Sequence, residues 1–307
     1  MAPWLSVLMP TYNGAPFIAD ALDSVVAQGD AGIEVVVADD GSTDGTLEVV
    51  RRYQSRLALR IVQAERVGNW AAGTNVALRA AVGKYACVLH QDDFWLPGRA
   101  AAVRQALPFS LLVHPALLVG PGGKRLGFWR LPLPAGAIAP TEFIARLLVQ
   151  NFLAMPSPVF LRAAALPAGL DESLWYAADW DLWLRLGAGG PVLSLAGPLA
   201  AFRIHPASQT LSRDLKAEDF RLQLRTVLER HFAPWAEAVS PRAAKRTREV
   251  AEFSVEVNVA LAAAHRGKTG CAPAALLRRF LLLGPRGWAR YLRDSRLHER
   301  VWARRRA

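Results

Sequence analysis

Short unbroken apolar runs alternate, over the first third of the chain, with stretches in which apolar residues recur every third or fourth position. Leu5-Ser-Val-Leu-Met9, closed by Pro10, and Ile33-Glu-Val-Val-Val-Ala38, rich in β-branched residues and ending at a carboxylate pair, read as buried strands. Between them, Pro16 to Gln28 sets Phe17, Ile18, Ala21, Leu22, Val25 and Val26 at amphipathic-helix spacing. The pattern continues with a helix over about 45–56, a strand at Leu59–Gln63, a helix over about 71–82 and a strand at Tyr85–His90. Such alternation predicts an α/β fold whose mostly parallel sheet is flanked by helices. Ligands of open sheets of this kind bind beyond the carboxyl ends of the strands. The residues there are Thr11-Tyr12-Asn13, Asp39-Asp40-Gly41 and Gln91-Asp92-Asp93.

From about 108 to 140 the text is rich in Pro and Gly and predicts short strands and turns. Helices are expected over Thr141–Gln150 and around Asp181–Leu186, with a strand at Pro158–Leu161 between them. After Ser212 the chain turns helical, broken at Pro241, Gly267, Pro273 and Gly284-Pro285. Two units follow, 1–214 and a basic, mainly helical 215–307.

Composition excludes some classes. With 52% hydrophobic and 21% charged residues in 307, the chain is a globular sequence with a sizeable core, not a disordered one. Its two cysteines, Cys87 and Cys271, fit neither a metal-ligand spacing nor a disulfide framework, so a reducing compartment is expected. No apolar run is long enough to span a bilayer, and the start lacks a secretory signal; a cytoplasmic protein is expected. The net charge of +11 is uneven: residues 1–215 hold 17 Lys/Arg and 17 Asp/Glu, the remaining 92 hold 20 and 9. A neutral body with a basic end suggests a catalytic unit with a docking extension more than a nucleic-acid-binding protein.

Candidate chemistry sits after the strands. In Asp39-Asp40-Gly41-Ser42-Thr43-Asp44 the last three residues suit a turn and helix cap, whereas two acids exceed what a cap requires. A strand-end carboxylate can accept from the N–H groups of a nucleobase. The spacing fails the EF-hand pattern, which would need Glu where Arg51 stands. In His90-Gln91-Asp92-Asp93 the carboxylate pair can hold a hard divalent cation and leave positions open for phosphate oxygens. In Ala178-Asp179-Trp180-Asp181-Leu182-Trp183-Leu184-Arg185, the Trp180/Trp183/Leu184 stripe reads as core and Asp181 with Arg185 as a helix ion pair. Asp179 by itself suits an N-cap as well as a catalytic role. His205, in Phe202-Arg-Ile-His205, is by itself an ordinary structural histidine.

Together, Val-Leu-Met-Pro-Thr-Tyr-Asn-Gly at 7–14, Val-Ala-Asp-Asp-Gly-Ser-Thr-Asp-Gly-Thr at 37–46, Leu-His-Gln-Asp-Asp at 89–93, Ala-Asp-Trp-Asp-Leu-Trp at 178–183 and Arg-Ile-His at 203–205 resemble the inverting glycosyltransferases of family 2, which have the GT-A fold. The resemblance spans about residues 4–210. It implies that Pro10, Thr11, Tyr12 and Asp40 hold the base of a nucleotide sugar, usually uracil, with Asp39 in support. It implies that Asp92 contacts the ribose or the waters of a metal, that Asp93 ligates Mg²⁺ or Mn²⁺ bridging the diphosphate, that His205 approaches the metal or diphosphate, and that Asp179 is the general base. Many relatives carry a basic residue on the helix after the third strand. The text here is Gly68-Asn-Trp-Ala-Ala-Gly-Thr-Asn75, so Asn69, Thr74 or Asn75 is expected to contact donor instead.

These readings predict a metal-assisted single displacement from a nucleotide sugar, with UDP the favoured nucleotide, to a hydroxyl of a glycan or lipid-linked glycan. A catalytically silent nucleotide-sugar or glycan-binding module would be expected to lack Asp93 or Asp179, and both are present. A nucleotidylyltransferase of related fold would be expected to carry a Gly-rich, basic phosphate loop after the first strand, and none is present. The Arg-rich apolar segments at Leu276–Leu283, Trp288–Arg293 and Val301–Ala307 suit an anionic membrane surface, which would make the protein peripheral on the inner face of a membrane. They also suit helices packed on the catalytic unit with solvated Arg outside. RNA binding is the least favoured reading.

Overall fold

The computed structural model describes residues 2–63, 65–206, 216–265 and 273–304. The expected boundary at 214/215, Cys271 and the last three residues fall outside them. Strands β1 (Leu5–Thr11), β2 (Ile33–Asp39), β3 (Ala58–Gln63) and β4 (Tyr85–Val88) are parallel neighbours in the order β3-β2-β1-β4. Every residue of β1, β2 and β4 is buried, as strands covered on both faces must be. Strand alternation deals their side chains to two cores: Leu5, Val7, Met9, Val35 and Val37 to one, Leu8, Val36 and Ala38 to the other.

Helix Ile18–Val26 covers the first face with Ile18, Ala21, Leu22 and Val25. Helix Trp70–Ala80 covers the second with Ala71, Ala77 and Leu78, joined there by helices Pro140–Leu147 and Ala178–Ala188. The sheet continues past β4 through β10 (Val159–Leu161), β6 (Leu111–Val113), β11 (Val192–Ser194) and β9 (Gly136–Ile138); only β10 and β9 run antiparallel to their neighbours. The Pro/Gly-rich 108–140 stretch thus supplies strands to two sheets. Its β7 (Ala116–Val119) and β8 (Arg125–Trp129) join β5 (Phe94–Trp95) and β12 (Ala200–Arg203) in a second sheet of order β5-β12-β7-β8.

The first two C-terminal helices are built into the core and not laid on from outside. Helix Ala217–Glu237 puts Leu224, Val227, Leu228, Phe232 and Trp235, and helix Pro241–His265 puts Ala251, Val255 and Val259, into the second core beside Leu8 and Val36. Asp181, expected to pair mainly with Arg185, is 2% exposed and binds this extension instead. Its Oδ1 accepts from Arg230 and meets His231 Nε2, each at 2.8 Å, whereas Arg185 stands 3.6 Å from Oδ2. Two tertiary partners lie closer than the local i, i+4 one.

Candidate active site

The chain order reverses between β1 and β4, which opens a crevice at their carboxyl ends. Where the strands part, the Gln91 side chain replaces a strand: its Oε1 accepts from the Tyr12 N–H and its Nε2 donates to the Tyr12 carbonyl, both at 2.9 Å. The pairing pins Tyr12 at the rim, where Arg66 lies 4.0 Å over its ring. Asp40 lies on the crevice wall, and its oxygens accept from the N–H groups of Val67 (2.6 Å) and Gly68 (2.8 Å), fixing the loop that carries Arg66. Asp39 turns away: its carboxylate accepts from the backbone N–H and hydroxyl of Ser42 at 3.0 and 2.5 Å. Ser42 and Asn13 then tie this turn to the end of β1.

Beyond β4, His90, Asp92 and Asp93 bring ligand-type atoms within 4.8 Å of one another. The second sheet positions them. The Arg203 backbone N–H donates to Asp93 Oδ1 at 2.9 Å, Arg203 Nε donates to the Asp92 carbonyl at 2.8 Å, and the same guanidinium binds Asp20 at 2.7 Å. His205 Nε2 meets Asp92 Oδ2 at 2.9 Å. Burial raises the Asp92 carboxyl, but the His205 hydrogen bond and the charges of His90 and His205 outweigh it and leave Asp92 below the usual range. Burial, then the charge of Asp92, holds Asp93 well above that range, and burial depresses the His90 imidazole. Asp93 Oδ2 and His90 Nε2 are buried without a hydrogen-bond partner. Two orphaned ligand atoms beside an ionised carboxylate suit a divalent cation, whose charge would offset both the burial and the repulsion.

Asp179 stands at the start of helix Ala178–Ala188, in the same cavity, which has a volume of about 410 Å³. Its carboxyl is pushed up to about 6 by burial, opposed by the Trp180 N–H (2.7 Å) and the Asn151 amide (2.8 Å). The C-terminal extension forms another wall through Val255, Asn258, Leu261 and Ala262. Asn258 and Ser254 also hold Gln150, the neighbour of Asn151, at 2.9 and 3.2 Å.

Of the residues singled out in the sequence, Pro10, Thr11, Tyr12, Asp40, Asn69, Asp92 and Asp179 line this cavity. Five lie outside its lining, Thr74 among them. Asn75 faces the loop after Gly169, its amide exchanging hydrogen bonds with Leu170 and donating to Glu172, in the space that glycine leaves at φ +61°. Asp39 serves its turn, His205 backs Asp92, and Asp93 sits behind Asp92 at 1% exposure. His90 is on the wall instead. Thr74 donates its hydroxyl back to the Trp70 carbonyl, and Asn69 caps its helix and donates to the Glu172 carbonyl. Asn151, Arg66, the pairing of Gln91 with Tyr12 and the anchoring role of Arg203 were not legible in the sequence. Arg66 precedes the helix Trp70–Ala80, where the resemblance places a basic residue, and no motif surrounds Asn151.

A mostly parallel sheet with this switch point, acids at its strand ends and an elevated carboxyl in the same cavity has the architecture of GT-A glycosyltransferases. Residues 6–107 match the family described as Glycosyl transferase family 2, and the chain carries a domain of that family. An uncharacterized protein of Mycobacterium tuberculosis is 28% identical over 218 residues, 66% of this chain and 59% of that protein. Chondroitin synthase of Pasteurella multocida is 30% identical over 195 residues, 61% of this chain and 19% of the synthase. The chain thus spans less than two thirds of the length of these relatives. Among solved structures, Staphylococcus aureus TarS 1–349 in complex with UDP-GlcNAc superposes with a TM-score of 0.59 at 20% identity, covering 96% of this chain and 90% of that one. The mannosyltransferase PcManGT of Pyrobaculum calidifontis, in complex with GDP-Man and Mn²⁺, gives 0.54 at 22% identity, covering 96% and 84%. No helix among the described residues is long and apolar enough to cross a membrane.

Proposed function

We propose that the protein transfers a sugar from a nucleoside-diphosphate sugar, with UDP the favoured carrier, to a hydroxyl of a glycan or lipid-linked glycan on the cytoplasmic side, by one inverting displacement. The observation that carries the reading is the sharing of one cavity at the switch point by Asp179, its carboxyl elevated to about 6, and by His90 and Asp92, behind which Asp93 completes a cluster of ligand-type atoms. Nucleotide-sugar complexes of two similar folds support it.

Tyr12, held by Gln91 and covered by Arg66, offers the base an aromatic ring at the rim, while the backbone of Pro10 and Thr11 forms the adjoining wall. Asp92 and Asp93, with His90, would hold Mg²⁺ or Mn²⁺, which when bound neutralises charge on the diphosphate leaving group. His205 keeps Asp92 ionised and oriented. Asp179 takes the proton of the acceptor hydroxyl as its oxygen bonds to the anomeric carbon and the bond to the diphosphate breaks. At neutral pH the carboxyl is mostly ionised, yet more basic than an ordinary aspartate, which suits a general base. The Asn151 amide and Trp180 N–H fix its oxygens.

Calorimetric titration with UDP, GDP and dTDP, each with Mn²⁺ and with EDTA, tests this. Metal-dependent binding of one diphosphate, UDP above the others, is the expected result. Absence of binding by all three in both conditions would overturn the donor assignment.

A further inference from the structure

The helices Pro273–Leu282 and Gly284–Ser295 form a hairpin that turns at Gly284, φ +65°. The first helix has apolar residues on two sides. Its inner side sends Leu276 and Phe280, followed by Leu283, against Val250, Phe253 and Tyr291. Trp288 of the second helix donates from its indole to the Phe280 carbonyl and stacks on the Phe280 ring at 5.6 Å, so the aromatic residues of this segment serve the hairpin's own packing.

The outer side is different. Leu277, Leu281 and Leu282 are 59%, 56% and 77% exposed. Leu277 and Leu281 lie one turn apart, with Leu282 beside them, and Arg278 falls on the same face one turn before Leu282. Arg286, just past the turn, is exposed as well. From 273 to 295 the hairpin holds five arginines and one acid, Asp294, which is fully buried and bound by Arg290 and Arg293. The outward surface is therefore leucine and arginine.

We propose that this hairpin is a lipid-surface anchor: Leu277, Leu281 and Leu282 enter the acyl boundary of an anionic bilayer while Arg278 and Arg286 pair with headgroup phosphates. Three leucines at a helix end match the depth to which interfacial helices sink, and cations flanking them snorkel to the headgroups. A second copy of the chain is the poorer occupant. An isologous contact through this face would set guanidinium against guanidinium with no exposed acid on the hairpin to separate them. The surface needs a partner that supplies both hydrocarbon and negative charge.

The test is co-sedimentation of the full chain with vesicles of phosphatidylcholine alone and of roughly one part phosphatidylglycerol to two parts phosphatidylcholine. The wild type is expected to bind the mixed vesicles, to release at high salt and to ignore the neutral ones. Leu277→Ser/Leu281→Ser/Leu282→Ser is expected to lose binding by about tenfold or more, with an unchanged melting temperature because these side chains are exposed. Leu222→Ser, a leucine 66% exposed on another helix, is expected to bind as the wild type does. Failure of the wild type to bind the mixed vesicles would overturn the proposal, as would equal binding by the triple variant. A dimer in light scattering that the triple variant dissolves, without vesicle binding by the wild type, would assign the face to a second copy instead.

Discussion

Asp179 has a carboxyl held at about 6, so its proton equilibrium affects activity and stability with opposite signs. In the proposed role of general base it works ionised, and kcat/KM should then rise with pH through a limb near 6 in the free enzyme. In the folded chain it binds its proton more tightly than at the ordinary value of 3.8. The stability this confers is complete below that value and lost as pH rises through about 6, a loss of up to ~3 kcal/mol at ~1.4 kcal/mol per unit. Asp179→Asn should therefore abolish transfer, leave donor affinity within about twofold, and melt higher than the wild type near pH 8 but not near pH 4. A titration of donor binding and a pair of melting curves check both signs. Asn151→Ala removes a donor to the ionised form, so the acid limb should move upward by up to about one unit. Asp93→Ala should instead weaken metal-dependent donor binding, and equal loss of donor binding in Asp93→Ala and Asp179→Asn would sink the division of roles.

At the scale of elements, the crevice depends on Gln91 acting as a short surrogate strand. A Cβ on Gly14 would come 2.3 Å from Gln91 Oε1. Gly14→Ala should therefore push the amide off Tyr12, break two 2.9 Å hydrogen bonds and lower stability by about 1–3 kcal/mol, with a loss of nucleotide affinity as Tyr12 is freed. Denaturant unfolding and a UDP titration would show both. Little of this was legible in the chain, although the strands and helices around it were. Ile33–Asp39 and Ile18–Val26 announce themselves by period, because each buries a face against the same sheet. Past Val88 no period governs side-chain direction, and partners more than a hundred residues away do: Arg203 draws Asp93 behind Asp92, and His90 takes the wall. Asn75 likewise takes its direction from distant partners, the backbone of Leu170 and the Glu172 side chain, 95 and 97 residues on, and lies outside the cavity lining.

For the molecule as a whole, the open question is whether the catalytic body stands without the basic extension. A family match over 6–107 and a charge imbalance confined to the last third suggest separable parts, but the packing argues otherwise. Leu224, Val227, Leu228, Phe232, Trp235, Val255 and Val259 belong to the core that covers one face of the main sheet. At ~1.5–3 kcal/mol for each large apolar side chain buried, their removal costs an amount as large as the ~5–15 kcal/mol net stability of an ordinary domain. It would also strip the donors Arg230 and His231 from buried Asp181, and Trp235 from the Thr141 carbonyl. The Val255–Ala262 wall of the cavity would go with them. A chain ended before Ala217 is therefore expected to lack a sharp thermal transition, to bind hydrophobic dyes and to bind no nucleotide. A cooperative transition near that of the full chain, with nucleotide affinity retained, would show instead that the helices are a docking appendage on a self-sufficient fold.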